Sequence, residues 1–171
     1  DSQNVMFWSN VEQQYVLYAR HMVGGKRSTA RATSENFVDW TEPVLMTYSD
    51  TGTTTPSAHL YTNQTNPYFR APHIYVSMPG RIFFNRRSLS PDETKRNVMA
   101  VDPEAGDAND CSDGVFLTTR AGTNTYDFIF KESFVRPGIG AANWTTRNNY
   151  PALGLVQTGP DEMSIYVQRH Y

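Results

Sequence analysis

Three stretches of the chain open in the same way. Asp1-Ser-Gln-Asn-Val-Met-Phe-Trp8, Arg70-Ala-Pro-His-Ile-Tyr-Val76 and Arg147-Asn-Asn-Tyr-Pro-Ala-Leu-Gly-Leu-Val156 each begin with polar or charged residues and run into an apolar segment. A turn and a second strand-like segment follow each one. A pattern that returns every several dozen residues points to a repeat architecture. Repeats of this size built from strands are most simply propeller blades set around a central axis. Such a fold would place chemistry at the polar mouths of its innermost strands.

The chain reads as all-β, with two full cycles and the beginning of a third, in units 1–58, 59–138 and 139–171. In the first cycle Val5–Trp8 is a short strand and Asn10–Gln13 its turn. Tyr15–Arg20 follows, rich in the aromatic and β-branched residues that strands favour. Gly24-Gly25 is a tight turn signal before a third strand over Arg27–Thr33. Ser34–Trp40 forms a turn, and Glu42–Tyr48 completes the cycle with Pro43 near its start. In the second cycle Pro72–Ser77 is the inner strand, Pro79-Gly80 a turn and Arg81–Asn85 the second strand. A long polar segment leads to Val115–Arg120 and then Tyr126–Lys131. The third cycle holds Pro151–Gln157, a turn at Thr158–Asp161, and Met163–Arg169. No stretch shows helical periodicity over a useful length. A β-sandwich is the alternative, and it would space its strands more evenly.

Composition narrows the function classes. With 171 residues, 39% of them hydrophobic, the chain can bury a sizeable core. A net charge of -2 gives no electrostatic case for nucleic acid or an anionic membrane. The single Cys111 excludes an internal disulfide framework. No apolar run is long enough to span a bilayer as a helix. Asn63-Gln-Thr65 and Asn143-Trp-Thr145 match the glycosylation acceptor pattern. The missing initiator Met and the abrupt start suggest a processed or partial chain.

Several motifs in series carry a family likeness. They are Asp1–Val5 with Phe7-Trp8, Tyr15–Arg20, Ser34 through Pro43, Asp113-Gly114, Phe130–Gly138, Asn143-Trp144, Arg147–Pro151 and Thr158–Glu162. Together they resemble a bacterial glycoside-hydrolase-like family related to the five-bladed propeller furanosidases of glycosyl hydrolase families 32 and 43. The resemblance covers nearly the whole chain. Two departures stand out: Arg120-Ala-Gly122 lacks the Asp of the family's Arg-Asp-Gly, and Ser9-Asn10 follows Trp8 where an acid is expected. Family members are considerably longer. The resemblance therefore implies an interior piece of a propeller, about two complete four-stranded blades and part of a third. The remaining blades would come from the same longer chain or from another copy.

The resemblance also implies a carbohydrate partner and carboxylates on the top face around the axis; the compartment is left open, with an extracellular or periplasmic setting favoured. Glycosidases generally need two carboxyl groups. In a meander blade, Asp113 lies where a top connection enters the third strand, and Glu132 where the fourth strand leaves. Asp1 sits at the mouth of the first inner strand. These three are the catalytic candidates, whereas Glu12 and Glu162 fall in bottom turns and read as structural. The bland readings are a turn carboxylate for Asp113 and an ion pair with Arg136 for Glu132. Arg70, His73, Arg136, Arg147, Asn148 and Asn149 are candidates for sugar binding, with guanidinium forks, amides and an imidazole to meet hydroxyls. Trp144 would stack on a sugar face. In their bland readings Trp144 is core and His73 a buried histidine bonded to backbone. No cofactor is implied: the four histidines lack metal-ligand spacing. Asp107-Ala-Asn109 begins like a calcium loop, but Cys111 stands where an oxygen ligand is needed. Two readings stay open, a hydrolase and a carbohydrate-binding or structural propeller segment without catalysis.

Overall fold

The computed structural model describes residues 3–86, 89–97, 110–138 and 148–169. Strand makes up 47% of it and helix 4%, so the all-β class holds, while its several small sheets do not close on themselves.

The first sheet is the expected four-stranded meander, in the order β1 (Val5–Ser9), β2 (Gln14–Val23), β3 (Lys26–Ser34) and β4 (Val44–Leu45). In β1 the side chains alternate: Val5 and Ser9 are buried, Met6 and Trp8 exposed. The β2–β3 hairpin closes on Gly24-Gly25, with φ of 56° and 76° between the paired Val23 and Lys26. Positive φ at both centres of a two-residue loop matches the right-handed twist of its strands, and glycine adopts it without a Cβ penalty. At Met46 the chain leaves this sheet. Met46 N–H still donates to Thr29 O (2.9 Å), but Thr47 and Tyr48 (β5) pair in parallel with Thr125 and Tyr126 (β12).

The second unit departs from the expected meander. Its strands are β6 (His59–Leu60), β7 (Asn66–Tyr68), β8 (Ala71–Ser77), β9 (Gly80–Phe83), β10 (Cys111–Gly114) and β11 (Leu117–Arg120). Pro79-Gly80 is not a hairpin turn, and β8 and β9 are not partners. They run on as one kinked strand along a common neighbour. Ser77 lies opposite Leu117 and, three residues on, Gly80 opposite Gly114, in one unbroken register. Val115 N–H donates to Pro79 O (3.0 Å) across the kink. On the other side β6 pairs with β9 and β7 with β8. Six steps from Leu60 to Asn66 answer five from Arg81 to Val76, so one residue is extra. The excess is absorbed around buried Gln64, at φ 53°. Proline lacks the N–H for a ladder but keeps its carbonyl, so the strand bends at Pro79 without reversing. Gly80 follows because the Tyr150 ring occupies the space of a Cβ, its Cδ1 only 2.4 Å from that position.

A short helix, α1 (Pro91–Asn97), stands in the segment read as polar loop. Ser90 caps it. Glu93 N–H donates to Ser90 Oγ (3.3 Å), and Ser90 N–H donates back to Glu93 Oε2 (2.9 Å). This is a capping box with proline in the first helical position. The third unit is the expected hairpin in two pieces, β13 (Asn149–Pro151) with β16 (Val167–Arg169) and β14 (Val156–Gln157) with β15 (Met163–Ser164).

The core lies between the first sheet and the second unit. Phe7 meets Tyr75 edge-on at 5.1 Å, and Tyr18 lies 6.0 Å from Tyr126. Val16, Tyr48, Leu117 and Phe128 are fully buried around them. Each such side chain contributes about 1.5–3 kcal/mol. The buried tyrosines need partners for their hydroxyls. Tyr126 OH bonds Thr65 Oγ1 at 2.6 Å, and Tyr75 OH bonds Ser9 Oγ at 2.6 Å. Asn63, the acceptor of the first glycosylation triplet, is 4% exposed and donates to Tyr18 O (3.2 Å). It is a core residue and unavailable for a glycan in the folded chain, while Asn143 lies outside the described residues. Among the described residues no helix is long and apolar enough to cross a membrane.

Candidate functional site

Asp113 sits within β10, directly opposite Arg81 of β9. Its setting is a buried strand rather than a turn: all four residues of β10 are buried, Asp113 at 3% exposure. Arg81 grips the carboxylate with a two-pronged fork, Nε donating to Oδ1 (2.9 Å) and Nη2 to Oδ2 (2.5 Å). Ser133 Oγ also donates to Oδ2. Two parallel guanidinium bonds are the strong geometry for a carboxylate and fix its plane. The guanidinium stacks on Phe83 at 4.7 Å and donates from Nη1 to Lys131 O (3.0 Å).

The segment from Lys131 to Val135 folds across β10. Phe134 N–H and Val135 N–H donate to Gly114 O (2.8 and 3.0 Å), and Gly114 N–H returns to Val135 O (2.9 Å). Glycine is required at position 114 by this crowding, since a Cβ there would meet Pro151 Cγ at 2.6 Å and Val135 Cβ at 3.1 Å. Glu132 therefore sits one residue from the hydroxyl that touches Asp113, yet its side chain is 73% exposed. Arg136 Nη2 reaches its Oε2 at 3.4 Å, itself 69% exposed, so the ion-pair reading of Glu132 is realised on the surface. Such exposed pairs are weak and open readily.

Asn149 packs against the same strand. Its N–H donates to Ser112 Oγ (2.9 Å), and its side-chain amide is fully buried with neither atom hydrogen-bonded. An unsatisfied buried amide costs about 1–3 kcal/mol. Asp113, Glu132, Arg136 and Asn149 thus gather around β10 and the segment that crosses it. Asn148 precedes β13, half-buried.

The structure does not bring Arg70 and His73 to this place. His73 lies near the start of β8, eight residues before Arg81 and on the far side of the Pro79 kink. His73 is exposed rather than buried, and its carbonyl accepts from Ala121 N–H (3.0 Å). Arg70 donates to Pro160 O (3.1 Å), tying the β7–β8 turn to the tip of the third hairpin. Asp1, Trp144 and Arg147 lie outside the described residues.

Glu12 anchors a second polar cluster. Its carboxylate accepts from Tyr75 OH (2.7 Å), Gln14 Nε2 (3.2 Å) and Arg31 Nη2. Burial alone would raise its pKa. The Tyr75 hydroxyl, the Gly122 backbone and Arg31 outweigh that and hold it below the ordinary glutamate value. Glu162 closes the hairpin tip, accepting from Thr158 Oγ1 (2.6 Å). Among the described residues no group of three or more His, Cys, Asp or Glu is placed to hold a metal ion. Compared with protein-family models, curated proteins and solved structures, the chain finds no match.

Sequence reasoning missed Arg81, the residue that defines the setting of Asp113. The pairing spans 32 positions and passes through the misread Pro79-Gly80. No local signal joins them.

Proposed function

We propose that this chain is a carbohydrate-active segment of a five-bladed propeller, acting on a glycan as a glycoside hydrolase. Its first sheet is one blade, and the kinked second unit and the third hairpin belong to the next two. The observation that carries the reading is the contrast between two neighbouring carboxylates. Asp113 is buried and fixed by Arg81 and Ser133, while Glu132 is exposed beside it. Paired carboxylates in unlike surroundings are how one site divides charge stabilisation from proton transfer. In this assignment Asp113 supplies fixed negative charge to an oxocarbenium-like centre. Glu132 donates a proton to the glycosidic oxygen as its bond to the anomeric carbon breaks, and takes one back from the water that adds to that carbon.

A second reading has an observation of its own. Both oxygens of Asp113 already accept hydrogen bonds, which suits a structural tie in a binding propeller without catalysis. Glu132→Gln separates the two. Its side chain is surface-exposed, so the variant should keep the wild-type melting temperature. A hydrolase loses at least about 100-fold in turnover of aryl furanosides and polysaccharides, the scale of a removed general acid, with glycan binding retained. Unchanged turnover in both Glu132→Gln and Asp113→Asn would sink the catalytic assignment.

A further inference from the structure

Resting on the carbohydrate reading but at a different place, we propose that the loop after β3 forms a separate subsite for a neutral sugar. A cavity of about 370 Å³ opens there, lined by Gln14, Ser34, Glu35, Asn36, Asp39 and Thr41. That volume lies within the range of small-molecule sites. Its lining is hydroxyl, amide and carboxylate, the groups that meet sugar hydroxyls.

The loop is built to hold one shape. Asn36 Oδ1 accepts from Val38 N–H (2.9 Å) and Asp39 N–H (2.8 Å), while its Nδ2 donates to Asp39 Oδ2 (2.8 Å). Between them Phe37 stands at φ 69°. A bulky aromatic in the left-handed region is a true outlier, and strain of this kind gathers where a side chain must be displayed. The displayed ring is 51% exposed. It is braced edge-on by Tyr15 at 5.1 Å and by Trp40 at 6.1 Å, and Tyr15 in turn meets Trp8, itself 41% exposed. The result is an aromatic strip beside a polar pocket. One ring can take the apolar face of a sugar while the pocket takes its edge.

Charge chooses the class of sugar. Glu35 and Asp39 are both exposed, four positions apart, and both line the cavity. Carboxylates accept pairs of hydroxyl donors and repel anions. The occupant is therefore a neutral glycan with adjacent hydroxyls, and uronate or sulfated polymers are disfavoured.

Affinity electrophoresis in gels containing inulin, arabinan or mixed-linkage β-glucan tests this, with polygalacturonate as the anionic control. Wild type should be retarded by at least one neutral polymer and not by polygalacturonate. Phe37→Gly removes the ring and suits the backbone angle, so relieved strain offsets the lost ring contacts and it should fold as wild type does while binding about tenfold more weakly. Glu35→Gln should weaken binding less. Retardation of Phe37→Gly equal to wild type would overturn the subsite and leave the carbohydrate reading standing. No retardation of wild type by any neutral polymer would overturn both.

Discussion

Replacing Arg81 with methionine removes the fork from Asp113 while keeping most of the side-chain volume. The carboxylate stays where it is, with side chains 12% and 5% exposed for the two partners. Only the Ser133 hydroxyl then remains to it. Breaking one side of a buried pair costs about 3–5 kcal/mol, because the other charge is left uncompensated. For a chain of this size each kcal/mol lowers the melting temperature by about 2–4 °C, so the fall should be about 6–20 °C. The double variant Arg81→Met with Asp113→Leu buries no charge, and apolar replacement of a whole pair is often close to neutral. It should recover at least about 2 kcal/mol relative to the sum of the single changes. Urea unfolding at neutral pH, followed by circular dichroism and Trp fluorescence, measures all four corners of the cycle. A loss under about 1 kcal/mol for Arg81→Met, or simple additivity in the double variant, would refute the buried fork.

Two further outcomes follow from the packing and the electrostatics. Gly80→Ala places a methyl 2.4 Å from Tyr150 Cδ1 and should cost about 1–3 kcal/mol in urea unfolding; a neutral result would mean that β13 does not pack on β9. Glu12 has a lowered pKa when folded, so its contribution to stability is complete above its ordinary value of 4.5 and is lost as pH falls through the lowered one. Glu12→Gln should therefore flatten the acid limb of a stability profile taken down to about pH 3, and an unchanged limb would place the acid sensitivity elsewhere.

The first sheet was legible because its signals are local. Gly24-Gly25 specifies its hairpin, and Tyr15–Arg20 carries strand-forming residues on alternating faces. The second unit was not, because Pro79-Gly80 has the composition of a turn while its carbonyls stay in the ladder. Nothing adjacent in sequence reveals that Tyr150 fills the space above Gly80. The helix was readable from Ser90-Pro-Asp-Glu93, a capping signal that seven residues without apolar periodicity left unsupported. Asp113 was found as a residue, but its partners come from 32 and 20 positions away through pairing that no local pattern encodes. The pocket beside Phe37 depends on a backbone angle, and composition carries no trace of it.

Amide chemical-shift mapping with a neutral oligosaccharide tests the central claim most directly. Shifts should concentrate in residues 112–114 and 131–136, around the two carboxylates, and Glu132→Gln should keep the binding while ending hydrolysis. The contradicting result is a spectrum in which residues 112–114 and 131–136 stay unmoved at about millimolar sugar, for then the β10 cluster is a structural tie and no carbohydrate site.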